Sequence, residues 1–310
     1  MKRFAQVLPT MVLVSILVFG LQQLMPGDPA LVLAGEERGD PKVLAQIRSE
    51  LWLDRSLPEQ YLHWAGNVLR GNLGYSWRNR EPVSMLIGQK LPVTAQLGLM
   101  AFAIALAIGI PTGILAAVKR NSVWDYLANA IGLAGLSLPN FWLGIMLILL
   151  ISVKLGWLPP SGYVPPSEGI GASLATTIMP AFVLGNAIAA VLMRHTRGAM
   201  LSALDQDYVR TARAKGLSRA RVILRHALRN ALLPVVTLGA LELGTLLSGA
   251  VLTEQVFAIP GFGKMVVDAV FNRDYPVVQG VVLVTAFLFI VLNLAADILY
   301  VLINPRLRRA

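Results

Sequence analysis

Residues 93–118 form a run of 26 residues with no charged side chain. As a helix at about 1.5 Å per residue, such a run exceeds the roughly 30 Å hydrocarbon thickness of a bilayer, so it is read as a membrane span. Five more stretches are predominantly apolar and of span-like length: residues 4–25, 126–153 and 176–193, which carry no charge, and 232–257 and 277–303, which carry one or two acids. Only 14% of the 310 residues are charged and 55% are hydrophobic, whereas soluble domains are typically about 25% charged. The chain is therefore expected to be all-α and polytopic, with six transmembrane helices.

Several chemistries are excluded early. There is no cysteine, which removes disulfides, thiolate metal sites and thiol nucleophiles. Three scattered histidines, His63, His195 and His226, do not make a metal cluster. No Gly-x4-Gly-Lys-Ser/Thr pattern occurs, so no P-loop is expected and any ATP must be bound elsewhere. No constellation of polar residues points to catalysis on a covalent bond. No cofactor or metal is expected in this chain.

The first span follows Lys2 and Arg3 and reads as retained. A cleavable signal peptide is the competing reading, with Val32 and Ala34 placed like a cleavage site, but its apolar region would be only about 7–15 residues long. Met25-Pro26-Gly27-Asp28-Pro29 stops the helix. Residues 26–92 then carry eight Lys/Arg against eight Asp/Glu. They read as a small helical extracytoplasmic insertion, with helices over 41–52 and 58–69 and a turn at 71–76. The expected division is an N-terminal span (1–25), this insertion (26–92) and a five-helix core (93–310).

In the third span Pro139 should kink the helix and free carbonyls of the preceding turn, which neighbours or water must then satisfy. Gly109 with Gly113, and Gly244 with Ser248, are small pairs at four-residue spacing that permit close helix crossings. Packing within the subunit is the favoured reading of these pairs over contact with a second membrane subunit.

Between the fourth and fifth spans, residues 194–231 hold nine Lys/Arg. The pattern predicts a helix over 201–215 closed by Gly216, which can take the left-handed conformation. Ser218 then offers a cap for a second helix bearing Arg221, Arg225 and Arg229 along one stripe, and Pro234 fits the first turn of the next span. A helix, glycine turn and helix with basic charge could suggest DNA binding. Both ends lead directly into spans, however, so the segment is held at the membrane surface against anionic lipid, and no nucleic-acid partner is expected.

Charge placement orients the chain. With the loop inside, the inner segments hold 16 Lys/Arg against three acids, and the outer segments hold 11 against twelve. That matches the excess of basic residues on the cytoplasmic side. A multi-pass protein of a bacterial-type cytoplasmic (inner) membrane, with both termini cytoplasmic, is expected.

The stretch DYVRTARAKGL (207–217), with Pro234 eighteen residues after Gly216, resembles the cytoplasmic loop of ABC importer permeases. Aligned on Gly216, that family's Glu-Ala-Ala falls on Arg210, Thr211 and Ala212. The departure at Arg210 and Thr211 is typical of its dipeptide, oligopeptide and nickel branch. Met-Pro-Gly-Asp-Pro at 25–29, GLSLPNFWLG at 135–144, GAVLTEQVFAIPGFG at 249–263 and RDYPVVQG at 273–280 are similar to the B-type permease of the same branch. Trp52 and Asn72 replace an expected Gly and Asp.

This resemblance implies the type I ABC importer permease fold. It also implies partners: a second permease subunit, two ATPase subunits that carry ATP and Mg, and an extracytoplasmic solute-binding protein that meets the outer loops. It assigns ATPase coupling to Tyr208, Arg210, Thr211, Ala212, Lys215 and Gly216, and uptake of dipeptides, oligopeptides or a related solute to the assembly.

Polar residues within spans are candidates for the translocation pathway because burying them in lipid is costly. Gln96, Ser137, Asn140 and Glu242 lead, followed by Asn186 and Asn293, while Asp297, near the inner end of its helix, reads as structural. Related permeases are expected to carry a neutral amide near Glu242. Its carboxylate reads either as a substrate preference or, the favoured reading, as a buried hydrogen bond to another span. The alternative function is a secondary transporter driven by an ion gradient. That class predicts ionisable residues in several spans and often an inverted repeat, and neither is evident.

Overall fold

The computed structural model describes residues 2–24, 28–35 and 39–303. The Met25-Pro26-Gly27 stop and the tail containing Arg306, Arg308 and Arg309 lie outside the described residues, as do the side chains of Ser248 and Asp297. The described regular elements are helices, and one isolated bridge pairs Tyr75 with Pro82. Contacts divide the chain into two compact units, Met1–Leu91 with Met265–Ile290, and Pro92–Lys264 with Val291–Ala310. Residues 265–290, which the sequence division leaves in the core, thus belong to the unit that holds the insertion.

The first unit contains α1 (Lys2–Leu24), α2 (Pro29–Ala34), α3 (Pro41–Glu50) and α4 (Leu57–Leu69). Local chemistry starts each short helix. Asp28 accepts from Ala30 N at 2.9 Å, Asp40 accepts from Lys42 N at 2.8 Å, and Glu59 accepts from Ser56 N at 3.0 Å. Arg48 donates to Asp28 at 2.6 Å and fastens α3 to α2. The predicted helix over 41–52 ends at Glu50, because Trp52 takes a left-handed φ of 59°. Aromatic edges hold α4 on α1, with Phe19 lying 5.6 Å from the Tyr61 ring and 5.8 Å from the Trp64 ring.

In the second unit α8 (Ile170–Leu204) is the axis, with buried residues from Ser173 to Ala203. Around it pack α5 (Val83–Val118), α6 (Val123–Ser137), α7 (Asn140–Leu147) and α11 (Leu228–Val256). Glycines set the closeness of these crossings. A Cβ on Gly109 would stand 2.7 Å from the Ala189 carbonyl oxygen, one on Gly113 would stand 2.6 Å from that of Met193, and one on Gly185 would stand 2.5 Å from that of Ala101. Gly109 and Gly113 therefore serve packing within the subunit.

Three boundaries differ from expectation. Pro139 marks a full break: α6 and α7 meet at 103°, and Leu138 is extended, the conformation favoured before proline. The helix predicted over 201–215 is two helices. α8 runs on to Leu204, Gln206 is extended, and α9 is only Asp207–Ala214. The second loop helix is not separate either, since α10 (Arg219–Arg221) passes through a π-helical turn, Val222–Ala227, into α11, which leaves Pro234 inside a helix. Ser218 occupies its cap position without a side-chain capping bond.

After α11 come α12 (Phe262–Phe271) and α13 (Tyr275–Ile303). Among the described residues, four helices are long and apolar enough to cross a membrane: Val83–Val118, Ile170–Leu204, Arg219–Gly244 and Tyr275–Ala295. The bent α6–α7 pair makes a fifth if it is one span, and α1 contributes the shorter apolar helix Val7–Gly20.

The α5–α8 crossing gives a direct test. Gly185→Ala should cost about 1–3 kcal/mol through overpacking against Ala101. Gly66→Ala, where nothing lies within 4 Å, should gain about 0.5–1 kcal/mol of helix propensity. Thermal unfolding midpoints in detergent should move in opposite directions.

Candidate functional site

The eight residues of α9 divide into two faces. Val209 is fully buried and Ala212 is 5% exposed, packed with Ala117, Met200, Ala203, Val222, Ala227 and Ala231. Tyr208, Arg210, Thr211 and Lys215 are exposed. Five of the six predicted coupling residues thus lie outward or close the helix. Ala212 does not. It points into the subunit, and Val209, absent from the predicted set, completes that anchor. The apolar spacing Val209, Ala212 and Leu217 was the signal available for it.

Gly216 closes the helix as predicted. At φ 75° its N–H reaches Arg213 O at 3.0 Å, and Leu217 N–H reaches Ala212 O at 3.4 Å. This is the paired-bond glycine cap, with Leu217 turned back onto the same apolar cluster. The short helix is thus fastened to the helices beneath it at both its buried face and its C-terminus.

The loop is also braced electrostatically. Arg197 donates to both oxygens of Asp125 at 2.7 and 2.8 Å, and that carboxylate, 4% exposed, accepts further bonds from Asn121 N and Asn129 Nδ2. Sequence reading treated both residues only as charge, because no local pattern links positions 72 apart.

The proposed pathway residues fare differently. Ser137 and Asn140 flank the α6–α7 break, exposed and half-buried respectively. Proline at 139 removes the donor that the Gly135 carbonyl would have met, and Asn186 Nδ2 supplies one at 3.0 Å. Asn186 therefore repairs the break, and Gly135 leaves room for it, since a Cβ there would come within 3.2 Å of both amide atoms. Gln96 is a brace, accepting from Tyr163 Oη at 2.7 Å and donating to Ser173 Oγ at 3.0 Å. Glu242 sits half-buried on α11.

A fully buried acid, Glu254, lies near the end of the 232–257 stretch. Its carboxylate accepts from the Thr94 hydroxyl and from Lys264 N at 2.7 Å, while Phe262 N donates to Thr94 Oγ1 at 2.8 Å. A Cβ on Gly261 would stand 2.2 Å from the carboxyl carbon. The PGFG stretch thus needs glycine so that the chain can wrap this carboxylate.

Such a helical membrane subunit, with a small anchored helix between two long ones, meets its relatives here. The chain belongs to the binding-protein-dependent transport system inner membrane component family. That family's model matches residues 109–309, and the model of the family's N-terminal part matches residues 1–98. It is 44% identical over 331 residues to the dipeptide transport system permease protein DppB of Escherichia coli K12, covering 99% of this chain and 98% of that protein. It is 46% identical over 327 residues to the di/tripeptide transport system permease protein DppB of Pseudomonas aeruginosa, covering 99% and 97%. A structure of the MetNI methionine ABC transporter in an inward-facing conformation aligns with TM-score 0.60 at 19% identity, over 71% of this chain and 97% of that one. The last likeness concerns the fold alone, an ABC importer permease of type I.

The Asp125–Arg197 brace yields a second prediction. Asp125→Leu should destabilise by about 3 kcal/mol, because it strands the arginine, whereas Asp125→Leu with Arg197→Met should cost distinctly less. Detergent unfolding of the single and double variants measures the difference.

Proposed function

We propose that this chain is one of two permease subunits of an ATP-driven importer for dipeptides or oligopeptides, supplied by an extracytoplasmic solute-binding protein. The family carries the transport role, and the names of the relatives at 44% and 46% identity support peptides as the solute. Two separate ATPase subunits, holding ATP and Mg, grip α9 on the cytoplasmic side. Both termini lie on that side, in a bacterial inner membrane. The observation that carries this reading is the division of α9. Val209 and Ala212 lock it to the subunit, and Tyr208, Arg210, Thr211 and Lys215 are left for a partner.

Closure of the ATPases on ATP displaces α9 as a rigid piece. The motion passes through the π-helical turn into α11 and through Met200 and Ala203 into α8. Gln96, Ser137, Asn140 and Glu242 remain the proposed contacts along the route of the peptide. No step of covalent chemistry belongs to this chain.

Uptake of a labelled dipeptide into vesicles holding the assembled transporter tests the reading, with ion gradients collapsed by ionophores. Uptake should require ATP and the solute-binding protein. Gly216→Pro, which removes both the N–H donor and the positive φ, should lower it at least about tenfold at normal membrane levels. Uptake driven by an ion gradient without ATP, or unchanged in Gly216→Pro, would contradict the proposal.

A further inference from the structure

In the first unit, residues 74–83 form a hairpin held from within. Ser76 N donates to Glu81 O at 2.9 Å, Arg80 N to Ser76 O at 3.0 Å, and Val83 N to Gly74 O at 2.9 Å. Beneath it Asp274, 4% exposed, accepts from Ser76 Oγ at 2.5 Å and Trp77 N at 3.1 Å. The Trp77 ring packs 5.0 Å from that of Tyr275. The hairpin is thus a preorganised platform, and its Ser76 hydroxyl and Trp77 N–H stabilise the buried Asp274 carboxylate.

The outward side is positive and aromatic. Tyr75, Trp77, Arg78, Arg80 and Asn272 line a cavity of about 590 Å³. Arg78 donates to the Asn272 side chain, which aims its guanidinium. Arg80 is exposed and held at φ 57°, and Arg273 is exposed at φ 54°. Glycine or asparagine adopts that left-handed conformation more readily, and an arginine there carries a backbone cost of about 1 kcal/mol. Tyr75 is 60% exposed, and Phe271, adjacent in sequence to Asn272, is 83% exposed. Tyrosine, tryptophan and arginine on a rigid support are the composition of a protein-binding hot spot.

We infer that this arginine-lined notch receives an acidic side chain of the solute-binding protein when that protein docks. The inference rests on the importer reading and its orientation, which put the hairpin on the side where solute is delivered. Charge complementarity selects the occupant. The guanidiniums of Arg78, Arg80 and Arg273 are exposed, whereas the Asp274 carboxylate is buried against the hairpin, so the exposed charge here is mainly basic and the matching surface is acidic. A phospholipid headgroup offers the same anionic chemistry, and the experiment separates the two.

The assembled transporter in lipid nanodiscs is titrated with the solute-binding protein that stimulates its ATP hydrolysis. Arg80→Glu makes no change inside the hairpin, where only the backbone N–H of residue 80 is used. It should raise the concentration for half-maximal stimulation at least about tenfold and leave basal hydrolysis unchanged. Arg80→Gly, which relieves the left-handed strain while removing the charge, should give a smaller shift in the same direction. Raising the salt should weaken binding to the unmodified transporter more than to either variant. Equal half-maximal concentrations for all three would overturn the notch as a docking site while leaving the importer reading standing. A shift that appears only in nanodiscs containing phosphatidylglycerol, and vanishes in phosphatidylcholine, would assign the notch to lipid and overturn the proposal. If no solute-binding protein stimulated the unmodified transporter, the importer reading itself would fall, and this inference with it.

Discussion

In a chain this apolar, each interrupted helix must find a partner for the backbone groups it exposes, and the structure is arranged around that requirement. Pro139 removes the donor for the Gly135 carbonyl, and Asn186 on α8 supplies another. The end of α9 turns its carbonyls onto the N–H groups of Gly216 and Leu217. The chain after α11 folds over Glu254, with Lys264 N meeting the carboxylate and Phe262 N meeting Thr94, its other partner. In each case the break is held by a contact from another element or by a glycine that allows close approach. The 103° bend and the short loop helix are for that reason specific shapes in a hydrophobic setting.

This arrangement gives α8 a double role. Its glycine-lined crossings with α5 fix the packing of the second unit, and its last turns carry Met200 and Ala203, against which α9 is clamped. Arg197, on the same helix, holds Asp125 at the start of α6. Packed side chains thus join α9 to α8 and α11, and the ion pair joins α8 to α6.

Much of this was legible in the sequence, and the failures have physical causes. Span positions followed from apolar length, and the glycine cap at Gly216 followed from backbone chemistry. Proline marked the break at 139, but the angle depends on how α7 packs against α8 and α11, which no local pattern encodes. The 201–215 helix was overextended because Leu201 to Leu204 suit a helix equally well as the end of α8. Ala212 entered the coupling set through the resemblance, whereas the apolar stripe it shares with Val209 turns it inward. The burial of Glu254 was not legible because its partners, Thr94 and the chain at 261–264, come from either side of it in the sequence. The Asp125–Arg197 pair joins elements that only the fold brings together.

The absence of cysteine allows the two-faced helix to be examined with single introduced thiols. The most direct measurement labels Tyr208→Cys, Thr211→Cys and Val209→Cys with a membrane-impermeant maleimide, applied to inside-out and right-side-out vesicles. The account predicts rapid labelling of positions 208 and 211 in inside-out vesicles only, protection of both once the ATPase subunits are bound, and slow labelling of 209 throughout. Labelling of 209 as fast as 208, or labelling from the outer side, would contradict it.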